Sequence, residues 1–332
     1  MGSVLMDQNL VDVLASLSVA GRISADDVLR LRDEVWTEEH LAQPVVEALF
    51  DLNDRCSDAA PEWHDFLYEA VDHFLLHQTP PFGFLDEKGA AWLRSRLGRT
   101  GRVRSWFEME LLVSLIENAQ NTPDWLKAWA LAQVEETVVS GNGPTRDPNN
   151  VQPNCVDEAE VDLIRRLIFA EGGEGAIIVG TLEADMLFRI KDRTLNNANA
   201  PGWLTLFVQG IGNHLLAHSD YRPLSIEEAQ RLDTFMNDNT PSLLGFLTRT
   251  LPTHMRGQGT IVESFKAIFI NDDDEDGESE ERQGLTAEEA GWLKQHIAAD
   301  GQTDEYEKAL LTFVVEETGN LPSMIEGLRR RA

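Results

Sequence analysis

Two stretches place histidines four residues apart: "DHFLLHQ", with His73 and His77, and "NHLLAHS", with His214 and His218. That spacing puts both imidazoles on one helical face, which is how a helix offers two ligands to a metal ion. A zinc site needs a third or fourth donor, and neither stretch has an internal glutamate. The intervening residues are Phe74, Leu75, Leu76 and Leu215, Leu216, Ala217. The same faces run Phe66, Ala70, His73, His77 and Phe207, Ile211, His214, His218, apolar stripes that turn to histidine in their final turns. Packing and the polarity of a helix C-terminus account for such rings without a metal.

The acidic segment "NDDDEDGESEERQ" is a second candidate. With Asp272 at loop position one, Asp274, Asp276 and Gly277 fall where a calcium loop of the EF-hand type has its first ligands and its turn. Ser279 and Gln283 then stand where that loop needs an apolar residue and a bidentate glutamate. Calcium or another divalent cation is the cofactor implied, and a flexible acidic linker is the alternative. The third candidate is basic. "LRSRLGRTGRVRS" holds Arg94, Arg96, Arg99, Arg102 and Arg104, whose forked guanidinium groups suit carboxylate or phosphate recognition. Such a cluster serves either as a partner or anion site, or as an internal dock onto an acidic neighbour.

The arginines stand out because the chain is acidic. Its 332 residues carry 28 Lys plus Arg against 57 Asp plus Glu, a net charge of -29 that repels nucleic acid and anionic lipid. A hydrophobic content of 42% is ample for packed cores, and the length suits two domains. Cys56 and Cys155, the two cysteines, have no paired spacing, so a reducing cytoplasm is the expected compartment. No basic segment precedes an apolar core at the start, and no apolar run has membrane-spanning length; neither secretion nor membrane insertion is expected. No Gly-rich phosphate loop, nucleophile elbow, zincin helix or kinase motif set occurs.

The elements that position these residues read as helices. An apolar residue, a Ser, Thr or Asp, and an acid three residues on recur in "ISADDVLRL", "VDEAEVDLI", "LSIEEAQRL" and "LTAEEAGWL". Ser24, Asp157, Ser225 and Thr286 are N-caps, with Asp27, Glu160, Glu228 and Glu289 completing capping boxes. Ser105 with Glu108, and Asp304 with Glu307, repeat the device after Gly101 and Gly301, which serve tight turns. The chain also resembles itself. "FLDEKGAAWLRSRLGRTGR" aligns with "LTAEEAGWLKQHIAADGQ", pairing Trp92 with Trp292. "EWHDFLYEAVDHFLLH" aligns with "GWLTLFVQGIGNHLLAH", pairing Trp63 with Trp203. The reading is an all-α, non-coiled-coil array: a first half over 20-140 (modules 20-79 and 84-140), a polar linker over 141-154, and a second half over 155-332. The second half has modules at 155-219 and 285-330 around an insertion at 220-284.

Ala299-Asp300-Gly301, a following cap and Glu307 before "KALLTFV" resemble a signature of the tellurite-resistance TerB-like helical family, most sharply over 299-313. That resemblance implies tandem all-α modules, a cytoplasmic stress or regulatory setting and divalent metal binding by acidic residues, here Asp300 and Glu307. Local roles are equally available to them: an Asx turn for Asp300 and a capping box for Glu307. The expectation is a non-enzymatic binding or regulatory protein that engages a protein partner and divalent cations. The alternative is a metal-dependent enzyme that joins the histidine pairs to carboxylates from other modules.

Overall fold

A computed structural model describes residues 8-36, 40-78, 81-98, 101-146, 151-170, 179-218, 285, 287-297 and 303-318. The capping phrases begin helices there. Ser24 and Asp27 form a reciprocal box, as do Asp157 with Glu160 and Asp304 with Glu307. Ser105 accepts from the Glu108 amide at 3.2 Å, but the Glu108 carboxylate reaches one residue further back and accepts from the Arg104 amide at 2.8 Å. Asp86 caps another helix by accepting from the Gly89 amide at 2.7 Å. Ser225, Glu228 and Thr286 lie outside the described residues, as do Asp272, Asp274, Asp276, Asp300, Gly301 and Arg99.

The architecture is all-α, as the periodicity predicts. Among the described residues the only strands are β1 (Arg22–Ile23) and β2 (Asp58–Ala59), paired in parallel. The chain divides into two compact units, with the boundary between Gln133 and Val134 inside a helix. The first holds α1 (Gln8–Ala20), α2 (Ala25–Val35), α3 (Gln43–Arg55), α4 (Pro61–Asp72), α5 (Glu87–Leu97), α6 (Trp106–Asn118) and the start of α7 (Asp124–Ser140). A five-residue π-helix, His73–His77, continues α4. Helix α1 precedes the modules read from the sequence, although Leu10, Leu14 and Leu17, all buried, give it a visible helical stripe.

The core of this unit is centred on α4. Trp63, Phe66, Leu67, Ala70 and Val71 are fully buried there, and the Trp63 indole donates to Asn53 at 3.0 Å. Pro61 at the first helical turn of α4 has no amide to leave unsatisfied. The turn before α4 is anchored by the Ala60 amide, which donates to the Ile23 carbonyl at 2.8 Å.

The second unit holds α8 (Glu158–Ile168), α9 (Thr181–Thr194), α10 (Gly202–His218), α11 (Ala287–Ile297) and α12 (Glu305–Thr318). Helix α10 is central, with Trp203, Leu206, Phe207, Ile211 and Leu215 fully buried. Its glycines set how closely the neighbours approach. A Cβ on Gly212 would lie 2.3 Å from the Phe313 ring of α12, and one on Gly210 would lie 2.5 Å from Leu187 of α9. The chain enters α10 much as it enters α4: the Ala200 amide donates to the Val156 carbonyl at 2.8 Å.

Gly212→Ala therefore tests this packing. Overfilling a closed core costs about 1–3 kcal/mol, so the variant is expected to melt several degrees below the parent in a circular dichroism scan. An unchanged melting temperature would show that α10 and α12 do not approach as described.

Candidate functional site

Among the described residues, a dense charged constellation lies inside the second unit. Lys191, on α9, is 2% exposed, and its ammonium nitrogen lies 2.7 Å from oxygens of Asp192, Asp304 and Glu307. Three N–H donors meet three carboxylates, so the ammonium is fully satisfied. Burial would pull the Lys191 pKa down, but the hydrogen bonds to Asp192, Asp304 and Glu307 more than reverse this and hold it above the ordinary lysine value. Burial pushes the Glu307 carboxyl up, with Lys191 opposing that shift. Among the described residues, Asp192, Asp304 and Glu307 form the one group of three acid, histidine or cysteine side chains close enough to share a cation. Lys191 lies among them, so the charge a metal ion would bring is already supplied by the chain.

Sequence reasoning found Glu307 and missed Lys191. The signal was available: Ala184, Leu187 and Thr194, with Lys191, follow helical spacing along the buried stripe of α9. A lysine on an apolar stripe needs buried counter-charges, and the capping box at Asp304 supplies two.

The first unit solves a similar problem with arginine. Glu108, at the start of α6, is 3% exposed and accepts from Arg104 at 2.6 Å, and Arg104 also pairs with Asp54. Hydrogen bonds donated to Glu108 and Asp54 raise the Arg104 pKa. Arg96 pairs with Glu47 and reaches Asp51 at 4.0 Å, while lying 6.0 Å over the Trp92 ring. Trp92 donates to the same Glu47 carboxylate at 3.1 Å. Arg102 also has a partner. Arg94 differs, because its guanidinium sits 5.6 Å from the ring centres of both Trp125 and Trp129 and is exposed. Of the described members of the run, Arg96 and Arg104 pair with carboxylates of their own unit, and Arg94 stands against aromatic faces.

The two histidine pairs share spacing but not surroundings. His73 packs edge-on against Trp36 at 5.0 Å, its ring centre is 6.4 Å from that of His77, and His77 pairs with Asp72 at 3.0 Å. The Nε2 of His73 and the Nε1 of Trp36 are both buried without a hydrogen-bond partner. His214 is 6% exposed, its Nδ1 is 2.8 Å from the Val179 carbonyl, and its ring is 4.8 Å from Trp292. A carbonyl only accepts, so Nδ1 carries the proton. Together with Asn213, whose side-chain oxygen accepts from the Val179 amide at 2.7 Å, His214 fixes the chain just before α9. In the first unit the corresponding work at Leu41 is done by Gln78, whose amide bonds both the Leu41 N–H and its carbonyl. The side chain of His218 lies outside the described residues. The wider π turn at His73–His77 changes the residue register there, whereas α10 runs on as an α-helix. Equal spacing in the two sequences therefore does not give equal placement.

No known protein family model, curated protein or solved structure matches the chain. No helix among the described residues is long and apolar enough to cross a membrane.

Lys191→Met should destabilise strongly, on the order of 3–5 kcal/mol, because it leaves buried carboxylates without their cation. The pH dependence gives the sign. Glu307 binds its proton more tightly folded than unfolded, more so without Lys191, so the contribution of this one group favours the fold as pH drops. The deficit of Lys191→Met, measured by urea unfolding, is thus expected to shrink as pH falls from neutrality toward 4.5. In the parent, stability from Lys191 is complete below 10.5 and lost as pH climbs through its higher folded value. A deficit that stays constant with pH would rule out this charge pairing.

Proposed function

We propose that the chain is a non-enzymatic cytoplasmic binding or regulatory protein, built from TerB-like helical modules in two duplicated halves, and that it engages a protein partner. The observation that carries this reading is an aromatic surface on the first unit. Phe82 is 58% and Phe84 38% exposed, in a loop tied to the start of α7. The ties are the Leu85 amide to the Asn121 carbonyl at 3.0 Å and the Gln120 amide to the Gly83 carbonyl at 2.8 Å. Trp125 follows on α7, with Arg94 against it. Exposed Phe and half-buried Trp beside an arginine is the composition of protein-interface centres.

Parallel contacts support the duplication. Arg32 makes a paired contact with Glu69 in one unit and Arg165 donates to Gln209 in the other. Trp92 donates to Glu47, and Trp292 to Asp185 at 3.2 Å. Phe50 lies edge-on to Trp92, and Phe188 to Trp292. Position for position, Lys191 then replaces Asn53, and the Trp203 indole, fully buried, lacks the acceptor that Asn53 gives Trp63. A lysine ammonium has no lone pair to offer.

Divalent-cation binding remains a second reading because three carboxylates converge at Asp192, Asp304 and Glu307. It requires the ion to displace Lys191. In a metal-dependent enzyme using His73, His77, His214 and His218, the bond of His214 Nδ1–H to the Val179 carbonyl would leave Nε2 as the ligating nitrogen.

A photo-crosslinking amino acid in place of Phe82, in the native host, tests the main reading. A discrete adduct is expected at Phe82 and not at the exposed control position Leu29. Labelling no greater than the control would remove the protein-binding proposal at this surface.

A further inference from the structure

In a chain with 57 acidic and 28 basic side chains, an arginine has carboxylates to spare, and Arg96 and Arg104 take them. Arg94 takes none. Its contacts are the faces of Trp125 and Trp129, each 5.6 Å away. Stacking on a face leaves the N–H edges of the guanidinium open, and those edges match a carboxylate in two parallel hydrogen bonds.

Both indoles are held in place. The Trp125 Nε1 donates to Glu87 at 2.7 Å. Trp129 lies against the end of α5, where a Cβ on Gly98 would come within 3.0 Å of its ring, so the glycine makes room for it. Little ordering is left to be done on binding, which is where an exposed single ion pair ordinarily loses its value. Phe82 and Phe84 add exposed apolar area on the adjoining loop.

We propose that Arg94, Trp125 and Trp129 form a receptor for a single carboxylate carried beside an aromatic or apolar group of a partner polypeptide. This rests on the protein-binding reading and names the partner's chemistry. The net charge of -29 selects for one carboxylate: every further negative charge on the partner meets repulsion from the rest of the surface. Polyphosphates and phosphate-rich chains are disfavoured on the same ground. Apolar contact with the indoles and with the phenylalanine loop supplies attraction that does not depend on charge.

The test uses the whole chain and a minimal probe, 3-phenylpropionate, which joins one carboxylate to one aromatic ring. Indole Nε1–H resonances of Trp125 and Trp129 are followed by nitrogen-proton correlation spectra during titration. Saturable shifts of both are expected, with 3-phenylpropionamide about tenfold weaker or worse, the usual loss when a charge-assisted pair becomes neutral. Inorganic phosphate alone should shift them less at equal concentration. Arg94→Gln should lose the response while its melting temperature stays near the parent's.

The receptor is overturned if the parent shows no saturable shift, if the amide binds as well as the acid, or if phosphate binds as well. It is also overturned if Arg94→Gln responds like the parent. A variant that unfolds identifies Arg94 as a brace, and the comparison of acid, amide and phosphate on the parent then decides alone. Crosslinking at Phe82 without binding of the acid keeps the protein-binding reading and removes this chemistry. Binding of the acid without crosslinking does the reverse.

Discussion

Two carboxylates that cap helices from inside a core, Glu108 and Glu307, are each met by a cation, and the charged interior around them is arranged by that pairing. Glu108 and Glu307 are both 3% exposed at the starts of their helices. One is met by Arg104 and the other by Lys191. Each cation also takes an aspartate near the C-terminal end of a helix: Arg104 takes Asp54 in α3's last turn, and Lys191 takes its own neighbour on α9, Asp192. The capping box is a local device worth about a kilocalorie. Once buried, it becomes a tertiary tie: Lys191 of α9 meets Glu307 of α12, and Arg104, just before α6, joins Glu108 to Asp54 of α3.

That pairing separates charges that hold the fold from charges left for recognition. Arg96, Arg104, Arg189 and Lys191 all end on carboxylates, with Arg189 pairing to Glu135 at 2.8 Å. His214 ends on a backbone carbonyl. Arg94 ends on two indoles, and that contrast, more than its membership of a basic run, marks it for an external ligand.

The all-α class and most helix starts were legible because capping and 3.6-residue periodicity are local. Ser24, Asp157 and Asp304 needed only their neighbours to be recognised. The pairings were not legible, since they depend on which helices meet. The arginine run looked like one patch because its members are close in sequence. Arg94 and Arg96, two residues apart on α5, point about 200° apart, and Arg102 and Arg104 lie beyond the end of that helix. The histidine echo shows spacing but not surroundings: identical i, i+4 spacing places His73 against Trp36 and His214 against Trp292. Lys191 was readable in principle, as a charged residue on a buried stripe, but its partner Asp304 lies 113 residues away.

The central claim is that the chain supplies its own cation where three acids converge, and the lysine ammonium signal in nitrogen-proton spectra reads it directly. At neutral pH an ammonium bonded to Asp192, Asp304 and Glu307 should give a Lys191 Nζ resonance protected from solvent exchange, unmoved by millimolar calcium or zinc. Loss or displacement of that resonance on adding either ion would contradict the account and identify the cluster as a metal site.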